Sequence, residues 1–189
     1  MEDLHNMSLF NTDGLMKVAE FEKVSFDQFK EDCENTIYFI KENPEVMYEN
    51  IKLPARKTKG SAGHDFVSPF SFTVRPGNSI TIPTGVRCKI STGYVLMIYV
   101  RSSMGIKKGA KLANGTGVID SDYYNADNEG HIFAKIENHG TEPMKVKAGE
   151  AILQGVFIPF GVADKDEVTA KRVGGIGSTS ETPEDEEVK

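Results

Sequence analysis

Phe70, Phe72 and Val74 alternate with polar neighbours up to the turn Arg75-Pro76-Gly77-Asn78, and a period of two predicts a strand with one face buried. Short strands are predicted to follow over Ile80–Ile82, Arg87–Ile90 and Tyr94–Val100, and again over His131–Glu137, Met144–Lys147 and Ala151–Ile158. Between them lie Thr84-Gly85, Ser91-Thr92-Gly93, Asn138-His139-Gly140 and Ala148-Gly149, where glycine supplies the positive φ of tight turns. Many short strands with regular turn signals predict an all-β body, as a β-sandwich, jelly roll or barrel. No solenoid repeat occurs, and strands do not alternate with helices in this region.

Upstream the period changes. Phe26, Phe29, Cys33, Ile37 and Ile40 recur at three- and four-residue spacing, which places them on one face of a helix over about residues 25–43. Ser25 with Gln28 reads as a capping box, and Asn43-Pro44 ends the pattern. One amphipathic helix cannot bury its apolar face alone, so it is expected to dock on the body or on a partner chain, as a packing appendage without chemical motif. Three regions result: a lead with its helix over 1–50, a β domain over 51–168, and an arm over 169–189 that is glycine-rich and then acidic. The run Glu184–Glu187 reads as a solvated end.

A chain of 189 residues fits one domain, or one with an appendage, and is long enough to bury a core. The net charge of −6 argues against a general nucleic-acid binder, which needs Lys and Arg in excess to neutralise phosphates. A small anionic ligand needs only a local cluster of donors. The two cysteines, Cys33 and Cys88, lack metal-like spacing, which disfavours a disulfide framework or a zinc site. Met1–Phe10 is polar and acidic and no apolar run approaches membrane-span length, so no membrane association and a cytoplasmic location are expected.

Fold does not give function, so the chemistry must come from polar clusters at the turns. Arg101-Ser102-Ser103-Met104-Gly105 leaves an apolar strand with a guanidinium fork, two hydroxyls and a glycine, a combination suited to phosphate oxygens. Standing alone it equally describes a surface ion pair and two turn serines. Arg172-Val173-Gly174-Gly175-Ile176-Gly177-Ser178-Thr179-Ser180 has the same character, and alone it also describes a linker. In Gly117-Val118-Ile119-Asp120-Ser121-Asp122-Tyr123, two carboxylates two residues apart on a strand would point to the same face. One could then activate water while the other holds a structural bond or metal-bound water; an Asx-turn pair capping a hairpin is the alternative. Ala62-Gly63-His64-Asp65-Phe66 and Gly149-Glu150-Ala151-Ile152-Leu153-Gln154 complete the set.

Together these clusters resemble, in order, residue type and most spacings, the five motifs of the trimeric dUTP pyrophosphatase (dUTPase) family. The resemblance runs from about Leu53 to Ser180, roughly two thirds of the chain. It is closest to the Gram-positive bacterial and phage branch, which shares the stretched third motif seen here from Asp120 to Ile132. It implies a distorted jelly-roll homotrimer with sites shared between subunits. The implied reaction is Mg²⁺-assisted hydrolysis of dUTP to dUMP and pyrophosphate, which keeps uracil out of DNA and supplies dUMP for thymidylate synthesis. Asp120 matches the aspartate that activates the attacking water. Asn114 and the backbone of Gly117, Val118 and Ile119 match the hairpin that reads uracil, and Tyr123 the aromatic packed on the deoxyribose. Arg101, Ser102 and Ser103 match the phosphate-binding second motif, with Ser102 near the oxygen bridging the α- and β-phosphates. Gln154 matches the fourth-motif glutamine near the phosphates and the water shell of magnesium. Asp65 matches the first-motif aspartate, either structural or in the metal's outer shell. Arg172, Gly175, Ile176, Gly177 and Ser178 match the fifth motif, which folds over the nucleotide and grips the γ-phosphate.

A triphosphate carries about four negative charges, so the magnesium is expected to be held mainly by substrate phosphates and waters. The sequence departs from the family pattern in four places. Ile176 replaces the aromatic that stacks on uracil, the arm is one residue shorter before the paired glycines, the 25–43 helix is added, and Ala151 stands where an arginine is frequent. Two other readings are a dCTP deaminase or bifunctional deaminase–pyrophosphatase of the same fold, which calls for a glutamate at the pyrimidine ring, and a regulatory protein binding a repressor-like partner. For the latter, the added helix and the loop Tyr124–Glu129 are the surfaces to suspect.

Overall fold

The computed structural model describes residues 14–169 together with Arg172, Gly174 and Gly175. Its elements in chain order are β1 (Ala19–Lys23), α1 (Phe26–Thr36), α2 (Pro44–Glu49), β2 (His64–Val67), β3 (Phe72–Val74) and β4 (Ser79–Pro83). There follow β5 (Val86–Ile90), β6 (Tyr94–Val100), β7 (Ala110–Leu112), β8 (Gly117–Ile119), β9 (Phe133–Asn138), β10 (Met144–Val146) and β11 (Ala151–Pro159). A π-helical turn, Ser103–Lys107, follows β6, and a 3₁₀ turn, Ser121–Asn125, follows β8.

The apolar run of β6 is central to a four-stranded sheet ordered β2-β11-β6-β8. Its sequence is continuously apolar, yet burial alternates along it: Leu96 and Ile98 are buried while Val95, Met97 and Tyr99 are half-buried on the other face. Antiparallel pairing sets Leu153 opposite Val100 and Pro159 opposite Tyr94 on one side of β6, and Leu96 opposite Ile119 on the other. A three-stranded sheet, β4-β9-β7, and the pairs β3–β10 and β1–β5 complete the all-β body. Between the sheets lie Phe66, Phe70, Ile82, Leu96, Ile98, Ile136, Ile152 and Leu153, all essentially inaccessible. β1 lies outside the sequence expectation: its five residues gain a strand partner only through the distant β5, where Glu22 faces Arg87 and binds it at 2.8 Å.

The helical appendage differs from expectation at both ends. Ser25 Oγ accepts the Gln28 N–H, but Gln28 does not close the box; its amide donates to Asp32, and the Ser25 N–H goes to Glu129 instead. α1 stops at Thr36, well short of Asn43, where β-branched Thr36 and Ile37 weaken the helix and Ile37 caps it. Asn43-Pro44 starts a second helix rather than closing the first: Asn43 Oδ1 accepts from Glu45 N at 2.9 Å and Pro44 occupies the first turn. Phe29, Cys33 and Ile37 of the α1 segment and Met47 and Ile51 of the α2 segment join the core of the body. Gly85, with φ +72°, makes room for Ile51 and Phe29, since a Cβ there would overlap the Ile51 side chain. Among the described residues no helix is long and apolar enough to cross a membrane.

Candidate active site

β8 is the edge strand of the four-stranded sheet. Its inner side pairs with β6, which leaves the outer backbone groups of Gly117, Val118 and Ile119 to line a cavity of about 220 Å³. Asn114, Asp120, Tyr123, Phe133, Arg172 and Gly175 complete its wall. The strand cannot continue past Ile119, because Asp120 (φ −77°, ψ 158°) precedes the 3₁₀ turn. This corrects the expected geometry: Asp120 and Asp122 do not share one face of a strand. The turn nevertheless brings both carboxylates to one guanidinium, with Arg172 Nη2 donating to Asp120 Oδ2 at 2.8 Å and Nε to Asp122 Oδ1 at 3.0 Å. A planar fork matches two carboxylate oxygens as well as it matches phosphate, so Arg172 lies on the acidic pair rather than in a phosphate pocket of its own.

Tyr123 is buried beneath this pair, its ring 5.6 Å from the Arg172 guanidinium. Its hydroxyl donates to the His131 carbonyl at 2.8 Å and accepts from Asn128 Nδ2 at 2.9 Å. Burial raises the phenol above its ordinary value, against opposition from the Asn128 hydrogen bond and the Arg172 charge, so it serves as a fixed neutral wall.

A second cluster forms where β2, β11 and β6 end together. Gln154 on β11 is opposite Asp65 on β2 and Tyr99 on β6, and Arg101 follows directly on β6. Arg101 Nε binds Asp65 Oδ1 at 3.1 Å, while Asp65 Oδ2 is buried without a hydrogen-bond partner. Gln154 Nε2 reaches the Val100 carbonyl at 3.5 Å. Ser102 and Ser103 are exposed at the start of the π-helical turn, which buried Met104 anchors to the core.

Asp120 and Arg101, the charged ends of the two clusters, are far apart in one chain. Asp120 lies one step past Ile119, abreast of Val95, and from Val95 to Arg101 the strand advances roughly 20 Å. Asn114, Gly117, Val118, Ile119, Asp120, Tyr123, Arg172 and Gly175 therefore line one cavity; Asp65, Arg101 and Gln154 meet at the far end of β6, with Ser102 and Ser103 next along the chain, and Asp120 and Arg101 are not brought together. Ile176, Gly177 and Ser178 lie outside the described residues. Phe133 was not anticipated in the cavity wall, since a strand phenylalanine carries no sequence signal beyond the core. Asn128 and His131 were missed as supports of Tyr123; two polar residues crowded into the stretched third motif are the hint that could have found them.

Among the described residues no three His, Cys, Asp or Glu groups are placed to hold a metal by themselves. Asp65 and Gln154 suit a divalent cation only as outer-shell acceptors, and the orphaned Asp65 Oδ2 has the capacity for that.

Comparison with known proteins adds a family to this geometry. Residues 49–180 match the family model for dUTPase. The deoxyuridine 5'-triphosphate nucleotidohydrolase of Lactococcus lactis is 47% identical over 137 residues, which covers 70% of this chain and 91% of that protein. The crystal structure of dUTPase from Streptococcus mutans is similar at a TM-score of 0.59 and 36% identity, covering 76% of this chain and 98% of that one. A mutant dUTPase from phage phi11 of S. aureus, in which a structural Mg(II) ion is coordinated, shares the fold at a TM-score of 0.53 and 22% identity, over 66% of this chain and 94% of that one.

Proposed function

The chain belongs to the dUTPase family, and on that premise we propose that it hydrolyses dUTP to dUMP and pyrophosphate through a water activated by Asp120. The observation that carries this reading is the cavity itself: a carboxylate at the rim, an edge-strand backbone along one side and a buried tyrosine ring beneath.

Uracil lies along Gly117, Val118 and Ile119, whose backbone donors and acceptors pair with its edge and would be left unpaired by cytosine. The flat side of Tyr123 meets the sugar where a ribose would carry its 2′-hydroxyl. As the water oxygen bonds to the α-phosphorus, its proton passes to Asp120. The bond from that phosphorus to the bridging oxygen breaks, and pyrophosphate leaves with the electron pair. General-base assistance of this kind contributes about 10²- to 10⁴-fold in rate.

Arg101, Ser102 and Ser103 bind the phosphate chain, with Ser102 near the bridging oxygen, and Arg172 exchanges its carboxylates for the γ-phosphate. Asp65 and Gln154 would face the outer shell of a Mg²⁺ ion carried by the substrate phosphates, and such an ion would supply charge neutralisation and polarisation at the α-phosphorus. Because roughly 20 Å of strand separates Arg101 from Asp120, the phosphate cluster and the nucleoside cavity that form one working site come from different copies of a homotrimer.

The test is pyrophosphate release from dUTP, dCTP, dTTP and UTP, with Mg²⁺ and with chelator, by the wild type and Asp120→Asn. Release from dUTP only, dependent on metal and reduced by about 10²-fold or more in the variant, is the expected outcome. No release from dUTP under any condition would sink the reading.

A further inference from the structure

The residues that hold Tyr123 do not belong to the β body alone. Its hydroxyl rests on the main-chain carbonyl of His131, and its ring shares the cavity wall with Phe133. The His131 ring touches Phe133, with centroids 4.5 Å apart. One histidine therefore supports two cavity walls, one through its carbonyl and one through its ring.

That ring has no exposed surface, and both nitrogens are committed. Nε2 accepts the Gly85 N–H at 2.7 Å, which assigns the ring proton to Nδ1. Nδ1 then donates to Asp32 Oδ2 at 2.6 Å, and Asp32 lies on α1. Phe29 of the same helix is tilted over the imidazole at 6.1 Å.

α1 grips the same loop a second time at its N-cap. Ser25 N and Ser25 Oγ each donate to one Glu129 carboxylate oxygen, both at 2.7 Å. Glu129 has φ +55°, a conformation that a non-glycine residue holds only when neighbours compensate it. The next residue, Gly130, passes so close behind the tyrosine that a Cβ there would lie 2.6 Å from the Tyr123 carbonyl oxygen. A shift of the Glu129–His131 backbone is thus transmitted directly to Tyr123.

We propose that α1 is a positioning element of the nucleoside cavity. Asp32, through His131, and Ser25, through Glu129, set Tyr123 and Phe133 against the sugar, so that this helix sharpens discrimination between deoxyribose and ribose. Neither Asp32 nor Ser25 reaches the cavity, so both act through the loop. The inference rests on the dUTP reading of the cavity.

The test is steady-state kinetics of the full chain on dUTP and UTP for the wild type, Asp32→Ala, Asp32→Asn and the pair Ser25→Ala with Glu129→Ala. In Asp32→Ala the ratio of kcat/KM for dUTP over UTP is expected to fall on the order of tenfold, with the KM for dUTP rising more than kcat falls. Asp32→Asn keeps an acceptor for Nδ1–H and recovers most of that ratio. An unchanged ratio with a lowered Tm would overturn the proposal and leave α1 a packing element. If Asp32→Ala does not fold, the Ser25/Glu129 pair decides: a fall in its ratio supports the proposal, and a wild-type ratio overturns it. A wild type that shows no preference for dUTP removes the functional reading, and this inference with it, before any variant is compared.

Discussion

Asp120 and Asp122 meet one arginine, and the pairing shows how narrowly the identity of that side chain is set. A lysine would bring the same charge as Arg172, but its one nitrogen lacks the two separated, fixed donors, Nε and Nη2, with which the fork meets the two carboxylates. The two cysteines are the opposite case, reactive groups that the fold makes inert. Burial first, then the neighbouring Asp32 and Glu34, pushes the Cys33 thiol up to about 12. Burial, then Glu22, does the same to Cys88, also to about 12. Thiolate is the reactive form, so the folded protein is expected to show no fast-reacting thiol with an aromatic disulfide reagent at pH 8, and two in denaturant. A fast thiol in the native protein that disappears in Cys33→Ser would mean that α1, which carries Cys33, opens readily.

At the level of elements, α1 and the loop after the 3₁₀ turn depend on each other. Burial raises the Glu129 pKa, but the two hydrogen bonds from Ser25, helped by the Arg87 charge, outweigh it, and the carboxyl ends below its ordinary value of 4.5. A depressed carboxyl contributes stability that is fully present above the ordinary glutamate range. The contribution is lost as pH falls through that range and then through the lowered folded-state value. The Tm difference between wild type and Glu129→Gln is therefore expected to be constant near neutrality and to shrink towards zero on acidification below about pH 4.5. A difference that stays constant down to acid pH would show that the Ser25–Glu129 contact does not stabilise the ionised form. The same contact explains why the capping box stays open, since the Ser25 N–H that Gln28 would satisfy is already bound to a carboxylate.

For the molecule as a whole, the decisive fact is the register of β6. It carries Arg101 off one end of the strand and holds Asp120 abreast of the other, so the residues proposed for water activation and for phosphate binding are not joined in a single chain. Mixing Asp120→Asn chains with Arg101→Ala chains tests this directly. Random reassortment makes about one quarter of shared sites intact, so activity is expected to return to roughly that fraction of wild type from two inactive parents. No recovery despite demonstrated subunit exchange would place all the motifs of a site in one chain.

The all-β body, most strand centres and the residue types of both clusters could be read from the chain. Each depends on local periodicity, on glycine at turns, or on a run of side chains whose chemistry is visible without knowing where it folds. Arg101-Ser102-Ser103 and Gly117–Tyr123 are contiguous, and contiguity survives any fold. What needed the tertiary structure was non-local. β1 acquires a strand partner only through β5; α1 ends early and α2 begins at Asn43-Pro44, a dipeptide that terminates or initiates a helix depending on what packs beyond it. Asp120 and Asp122 converge through a 3₁₀ turn rather than by strand alternation. His131 reads as the first residue of a strand, yet its ring is claimed by a helix far away in sequence. Sequence determined which groups were present, because side-chain chemistry is local. Only the tertiary structure decided which of them meet, because long-range hydrogen bonds and strand register leave no period in the chain.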